Sequence, residues 1–198
     1  MTHDWYDTHT EHFVQRTLGN DMSDVYRRFL AHLSPGAHIL DAGCGPGRDA
    51  KAFRDRGYQV TAFDASAAMV RHCTKHAGIP ARLMRFQDAE FEQEFDGIWA
   101  CASLLHVIRD ELPWVIRRLS QSLKPGGIFY MSFQFGDADR VEPDGRQFTN
   151  FTPESLSRLL NDAGHLELIE LWDVNLGDGE RRKRWLHALA RRDNRATP

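Results

Sequence analysis

The stretch LDAGCGPGRDA, residues 40–50, decides how the rest of the chain is interpreted. A short apolar run leads into glycines at positions 43, 45 and 47, and an arginine and an aspartate follow at once. Alternate glycines at the end of an apolar run predict a sharp turn from a strand into a helix, with almost no side chain on the loop. Loops of this kind let backbone N–H groups approach a nucleotide cofactor, but several cofactor classes use them. The class of cofactor must therefore come from the rest of the chain.

Short apolar segments and helical segments alternate around this loop. Segments with the character of strands cover residues 37–43, 58–64, 81–88, 95–102 and 128–136, and helices are predicted between most of them. This alternation predicts a parallel sheet with helices on both faces. After a predicted helix at 151–164, two β-like segments at 165–176 and 181–191 flank the turn signal GDGE at 177–180. The predicted fold class is α/β, with a mostly parallel sheet that ends in an antiparallel pair.

Composition favours one ordinary globular domain. The chain has 198 residues, of which 41% are hydrophobic and 27% charged, and its formal net charge is −3. We expect a single domain over 1–198, with a helical lid at 1–33 and a cofactor-binding core at 34–198. The absence of a long apolar run, of a secretory pattern and of a cysteine framework predicts a cytoplasmic protein without membrane or metal partners. The basic run at 180–192 can be interpreted as RNA-binding, but it is more typical of a charged edge strand, so no nucleic-acid partner is expected.

Two carboxylates and one arginine narrow the class of cofactor. The dinucleotide fingerprint G-x-G-x-x-G requires a glycine where this chain has Arg48, which argues against a bound pyrophosphate, although the charge suits a carboxylate or a phosphate. Asp64 ends the second predicted strand and can accept hydrogen bonds from both hydroxyls of a ribose; the alternative role, capping the next helix, is already filled by Ser66. Asp88 ends the third predicted strand and can accept from the amine of an adenine. This set suits S-adenosylmethionine better than NAD.

Five motifs together resemble the class I S-adenosylmethionine-dependent methyltransferases, from about residue 34 to the C-terminus. The motifs are ILDAGCGPG, VTAFDAS, FQDAE, FDGIWACASLLHV and LKPGGIFYMSF. The resemblance implies a Rossmann-like seven-stranded sheet of order 3-2-1-4-5-7-6, because the seventh strand of that fold is inserted between strands five and six. The triplet GRD at 47–49 is similar to a bacterial subgroup of small-molecule methyltransferases that includes the tellurite-resistance type.

The resemblance also implies which residues bind the cofactor. They are Asp41, Gly43, Cys44, Gly45, Arg48, Asp64, Ala65, Met69, Asp88, Ala89 and Ala102. Asp41, Gly43, Cys44 and Gly45 are expected beneath the methionine moiety, and Ala102 beside its tail. Asp64 is expected to bind the ribose, and Ala65, Met69, Asp88 and Ala89 are expected around the adenine. Two interpretations are open for Arg48, which either pairs with the cofactor carboxylate or is a solvated arginine of the first helical turn.

Three further residues are candidates for binding the acceptor or for the chemistry. His106 follows the fourth predicted strand and is the candidate general base; alternatively it shapes its loop through a backbone hydrogen bond. Tyr6 belongs to an aromatic N-terminal segment that is either a lid over cofactor and substrate or a docking helix. Arg146, after the fifth predicted strand, either binds an anionic substrate or is an ordinary loop arginine.

The predicted function is transfer of a methyl group from S-adenosylmethionine to a small-molecule acceptor, by a monomer or a homodimer. Such a transfer is an in-line displacement, so alignment of nucleophile, methyl and sulfur matters more than acid–base chemistry. An RNA or protein methyltransferase is one alternative, and a cofactor-binding protein without catalysis is another. A nicotinamide oxidoreductase is opposed by Arg48 and by the antiparallel ending.

Overall fold

The computed structural model describes residues 2–176 and 183–193, which form one main sheet with helices around it. The strands are β1 (His38–Ala42), β2 (Gln59–Asp64), β3 (Ala81–Leu83), β4 (Phe95–Ala100), β5 (Leu123–Gln134), β6 (Arg140–Val141), β7 (Gln147–Phe148), β8 (Leu166–Leu176) and β9 (Lys183–Arg192). The helices are α1 (Thr2–Thr8), α2 (Thr10–Leu18), α3 (Ser23–Leu30), α4 (Arg48–Asp55), α5 (Ala67–Ala77), α6 (Leu112–Ser122) and α7 (Pro153–Ala163). Short 3₁₀ helices lie at Phe86–Asp88, Leu104–His106 and Arg109–Glu111.

The main sheet has the order β3-β2-β1-β4-β5-β9-β8, in which β9 alone runs against its neighbours. This confirms the predicted order 3-2-1-4-5-7-6. The predicted strands 7 and 6 are β9 and β8 here, because the two strands of the separate hairpin β6–β7 are also numbered. The interpretation of the basic run as an edge strand is wrong, because β9 lies between β5 and β8 and its residues 186–190 are buried. The edge strand at this end of the sheet is β8. The predicted turn GDGE at 177–180 lies outside the described residues.

Strand β3 is shorter than the predicted strand at 81–88. Its three residues pair with Ala62–Asp64 of β2, and β2 itself ends at Asp64, so no partner backbone extends the ladder beyond Leu83. The chain then forms the 3₁₀ helix Phe86–Asp88. The prediction that Asp88 lies at a strand end is therefore wrong.

Apolar side chains cover both faces of the sheet and hold its strand ends in place. On one face Trp99 of β4 stacks on Tyr130 of β5, with ring centroids 3.9 Å apart, and both pack with Phe29 of α3. On the other face the core includes Ile98 and residues of α6 and α7. The parallel strands β1, β2 and β4 thereby bring their carboxyl ends to one edge, where ligands bind in open α/β sheets. Within 2–176 and 183–193, no helix is long and apolar enough to cross a membrane.

Candidate functional site

The glycine loop between β1 and α4 lies against backbone on two sides. The amides of Gly43 and Cys44 both donate to the carbonyl oxygen of Phe63 in β2, at 2.9 Å each. Gly47 has a left-handed backbone with φ of 89°. A Cβ at Gly47 would lie 2.8 Å from Cα of Cys73 in α5, closer than side chains approach backbone. The loop therefore requires glycine where it passes α5.

Asp64, at the end of β2, holds the loop from the other side. Its Oδ2 accepts a hydrogen bond from Gly45 N at 2.9 Å, and its Oδ1 accepts one from Ser66 N at 2.8 Å. Burial raises the pKa of this carboxyl, and the two N–H groups oppose that rise because they stabilise the anion. Ser66 Oγ accepts from Met69 N at 3.1 Å, which confirms Ser66 as the cap of α5. Both Asp64 oxygens keep acceptor capacity for hydroxyl donors.

Asp41 precedes the loop in β1 and is 2% exposed. Its Oδ2 has no hydrogen-bond partner among the residues that the structure describes. Burial and, next, the neighbouring carboxyl of Asp49 raise its pKa well above the ordinary value. A buried polar atom without a partner costs free energy. A bound group that donates a hydrogen bond to this oxygen would remove the cost, so the position suits a polar ligand above the loop.

Arg48 has a partner that neither sequence interpretation anticipated. Its Nε and one Nη donate to the two carboxylate oxygens of Asp49, at 2.6 and 2.9 Å. Asp49 also accepts from Trp99 Nε1 at 2.8 Å and from the hydroxyl of Tyr26. The side chain of Arg48 is only 14% exposed, so the solvated interpretation is wrong. Its pairing with a cofactor carboxylate stays a prediction.

The residues predicted around the adenine divide into buried and exposed members. Met69 and Ala89 are buried, whereas Asp88 is exposed. Both oxygens of Asp88 accept from Arg85, at 2.9 and 3.2 Å, and this ion pair lowers the pKa of Asp88. An adenine amine would therefore compete with Arg85 for the carboxylate. The roles predicted for these residues and for Ala65 stay predictions.

His106 and Tyr6, a hundred positions apart in sequence, are hydrogen-bonded to each other. The Nδ1 atom of His106 lies 2.8 Å from the carbonyl oxygen of Gln147, and Nε2 lies 2.7 Å from the Tyr6 hydroxyl. A carbonyl oxygen only accepts, so Nδ1 carries the proton and Nε2 accepts from Tyr6. Burial lowers the pKa of His106 to about 4 and raises that of Tyr6 to about 12, so both side chains are neutral at physiological pH.

Aromatic side chains surround this pair. Tyr6 makes edge contacts with Trp5 and Phe13, and His106 makes one with Phe148 of β7, with ring centroids between 4.9 and 5.2 Å apart. The guanidinium of Arg146 stacks over Trp5 at 3.9 Å. Arg146 also pairs with Asp144 at 2.7 Å, so its charge is partly compensated. The structure thus brings Tyr6, His106 and Arg146 together, on the side of the loop where α1 lies.

Asp7 fastens the N-terminal helix to the core, and sequence reasoning missed it. Its carboxylate accepts from Ser66 Oγ at 2.6 Å and from Ala68 N at 2.9 Å, at the start of α5. These partners lie two and four residues after Asp64, so α1 is attached beside the predicted ribose position. No sequence signal distinguishes Asp7 from Asp4 of the same helix. Ala102, predicted to end the fourth strand, lies just beyond β4, with φ of 51° and its N–H donating to Ser132 Oγ at 2.8 Å, and its place beside the methionine tail stays a prediction.

The chain is similar to known methyltransferases in sequence. A family model described as a methyltransferase domain matches residues 39–127. A malonyl-[acyl-carrier protein] O-methyltransferase of Erwinia pyrifoliae is 29% identical over 177 residues, which cover 83% of this chain and 58% of that protein. A trans-aconitate 2-methyltransferase of Paracidovorax citrulli is 35% identical over 159 residues, which cover 73% of this chain and 54% of that protein. The chain therefore spans little more than half the length of these two relatives.

A solved structure extends the similarity over nearly the whole fold. It is the 1,6-didemethyltoxoflavin-N1-methyltransferase of Burkholderia thailandensis, with 1,6-didemethyltoxoflavin and S-adenosylhomocysteine bound. It is 25% identical, has a TM-score of 0.72, and the match covers 98% of this chain and 91% of that one. The finer similarity to tellurite-resistance-type enzymes stays a prediction. With this fold, glycine loop and set of relatives, the chain belongs to the class I S-adenosylmethionine-dependent methyltransferases.

Proposed function

We propose that the protein binds S-adenosylmethionine at the carboxyl ends of β1, β2 and β4 and transfers its methyl group to a small molecule. The observation that carries the proposal is Asp64, whose oxygens are fixed by Gly45 N and Ser66 N and keep acceptor capacity for two ribose hydroxyls. The unpartnered Oδ2 of Asp41 supports it, because a polar ligand above the loop would satisfy that atom. The methyltransferase relatives support it independently.

Within this proposal the chain's residues hold the cofactor mainly through backbone. Gly43, Cys44 and Gly45 would lie beneath the methionine moiety, where the two glycines carry no side chain and allow close approach. Asp64 would bind the ribose. Arg48 would reach the cofactor carboxylate while it also pairs with Asp49, so Asp49 would fix the direction of the guanidinium.

When bound, S-adenosylmethionine supplies a methyl group that positively charged sulfur has already activated. The protein has to align the acceptor and exclude water. His106 is neutral and offers the Nε2 lone pair, but a group with a pKa of about 4 removes protons poorly at neutral pH. We therefore propose that His106 orients an O–H or N–H group of the acceptor. That group would replace the Tyr6 hydroxyl as the hydrogen-bond donor to Nε2 of His106.

Enclosure favours a small acceptor over RNA or protein. Tyr6 of α1 and Gln147 of β7 bond the same imidazole, so the first helix and the β6–β7 hairpin meet at His106. A macromolecular acceptor would need an open face beside the reacting atoms. Two of the relatives are named for small acceptors, trans-aconitate and 1,6-didemethyltoxoflavin.

Calorimetric titration with S-adenosylmethionine, S-adenosylhomocysteine and NADH tests the proposal. We expect binding of the first two and none of NADH. Asp64→Asn should weaken binding by about 1–3 kcal/mol because the ribose loses a charged acceptor. The matched control is Asp55→Asn, an exposed carboxylate on α4 paired with Lys51. Binding of NADH alone, or equal affinity in the Asp64 variant, would refute the assignment.

Turnover is measured separately, as S-adenosylhomocysteine released with a panel of small acceptors and with RNA. Release with a small molecule supports the proposed transfer. Release with RNA alone would replace the small acceptor by a macromolecule. Tight cofactor binding without release in any arm would favour the alternative of a binding protein without catalysis.

A further inference from the structure

Three cations surround one aromatic ring beside His106. The guanidinium carbons of Arg140 and Arg146 lie 4.4 and 5.5 Å from the ring centroid of Phe148, and Nζ of Lys183 lies 6.0 Å from it. The same ring contacts the imidazole of His106, with centroids 4.9 Å apart. A single side chain, that of Phe148, therefore separates these cations from His106, the residue that we propose orients the acceptor.

The positive charge of this cluster is only partly compensated. Arg140 pairs through Nε with Glu142 at 2.9 Å, and Arg146 pairs with Asp144 at 2.7 Å. The nearby carboxylate of Asp139 is already paired with Arg109. Lys183 forms no ion pair with a carboxylate of the described residues, and burial followed by the charge of Arg140 lowers its pKa. An added anion would relieve the repulsion between the cations.

Arg140 also has a donor without a partner. Its Nη2 is buried and makes no hydrogen bond within residues 2–176 and 183–193. A guanidinium presents paired N–H groups that match a carboxylate or a phosphate, and its Nε is already occupied by Glu142. The orphaned Nη2 is therefore an independent observation that points to an oxyanion.

We propose that Arg140 and Lys183 form a subsite for a carboxylate or phosphate group carried by the methyl acceptor, with Arg146 at its rim. The inference rests on the proposed function, because the subsite lies beside His106 in the same site. The anionic group would anchor the acceptor at the β6–β7 hairpin while its reacting atom reaches the imidazole. The substrate class is then a small oxyanionic molecule.

The test is a titration of the full chain with inorganic phosphate at low ionic strength, with and without S-adenosylhomocysteine, followed through the Nε–Hε resonances of ¹⁵N-labelled arginine. We expect a saturable shift of Arg140. Arg140→Gln or Lys183→Met should each weaken phosphate binding by roughly tenfold or more, because each removes a charge-assisted hydrogen bond. Arg158→Gln, which removes an exposed arginine on α7, is the control and should change nothing.

Each outcome separates the subsite from the proposed function. No saturable shift, or one that persists in both variants, overturns the subsite. A short single-stranded RNA that binds through these residues where phosphate does not would overturn it in favour of a polyanion surface. Phosphate binding without S-adenosylhomocysteine binding would leave an oxyanion site at Arg140 and Lys183 but refute the cofactor proposal and, with it, the link to a methyl acceptor. Binding of S-adenosylhomocysteine without phosphate binding would refute the subsite and leave the cofactor proposal standing.

Discussion

Two regions of the site are built in different ways. The floor, which comprises residues 41–48 with Asp64 and Ser66, is held by backbone amides and by close contact with Phe63 and Cys73. The roof, which comprises α1 and the β6–β7 hairpin, is held by individual side chains such as Tyr6 and Asp7. The residues of α1, Tyr6 included, are half-buried or exposed, whereas most of residues 41–48 are buried.

From this difference we expect a rigid floor and a roof that can move. Backbone contacts of the floor cannot be lost one at a time, since they belong to strands β1 and β2 and to the start of α5. Helix α1 of the roof can move away when a few hydrogen bonds break, because none of its residues is buried. Ligand entry from the side of α1 is therefore compatible with a fixed floor.

The largest effect is expected from a side chain added to the floor. Gly47→Ala combines a left-handed backbone with a clash against Cys73 Cα, so we expect the free energy of unfolding to fall by about 2–5 kcal/mol in urea denaturation. Gly57→Ala is a matched control, because Gly57 has φ of 86° and nothing within 4 Å of a built Cβ. It should cost only about 1–2 kcal/mol, for backbone strain alone. Equal losses in the two variants would mean that the floor yields and is less rigid than its contacts indicate.

Lowering the pH should affect the core and the roof differently, because one buried histidine lies in the core and another contacts the roof. Burial lowers the pKa of His187 in β9 and of His106 to about 4, below the ordinary value of 6.5. Each contributes stability that is complete above pH 6.5 and is lost as the pH falls through 4, because the unfolded chain takes up the proton first. A difference of that size corresponds to at most about 3 kcal/mol per histidine.

The readouts differ for the two histidines. His187 lies within the sheet and donates to or accepts from Tyr130, so its contribution should appear in global unfolding, and His187→Gln should flatten the pH dependence between 6.5 and 4. Protonated His106 no longer accepts from Tyr6, so acid should first raise hydrogen exchange in α1. If α1 keeps its protection until the whole chain unfolds, the roof is part of the same cooperative unit as the floor.

The floor could be predicted from the sequence better than the roof. The glycine loop, Asp64 and Ser66 are encoded by neighbouring residues, so they could be inferred without coordinates. Regular alternation predicted a mostly parallel sheet, and the resemblance to a known family implied its strand order. The length of β3 could not, because it depends on where β2 ends. The contact between Tyr6 and His106 and the convergence of Arg140 with Lys183 on Phe148 join distant segments, and no local pattern announces them.

A smaller effect is expected at the attachment of α1. Asp7→Ala removes the acceptor for Ser66 Oγ and Ala68 N, and a bond to a carboxylate contributes about 1.5–3 kcal/mol. We expect faster exchange of the α1 amides, by roughly tenfold or more, with little change in global unfolding. Glu11→Ala on α2, also an exposed acidic residue, is the control. A large loss of global stability in the Asp7 variant would show that the roof supports the floor.

The smallest effect is expected from a single hydroxyl of the roof. Tyr6→Phe keeps the ring contacts with Phe13 and His106 and removes the donor to Nε2, at a cost of about 1 kcal/mol. Because that hydrogen bond favours the neutral imidazole, the pKa of His106 should rise from about 4 toward its ordinary value, as measured by NMR titration. Tyr58→Phe, whose hydroxyl makes no hydrogen bond among residues 2–176 and 183–193, should leave that pKa unchanged. An unchanged His106 pKa in the Tyr6 variant would mean that burial alone keeps the imidazole neutral, and that the roof contributes cover rather than a specific partner.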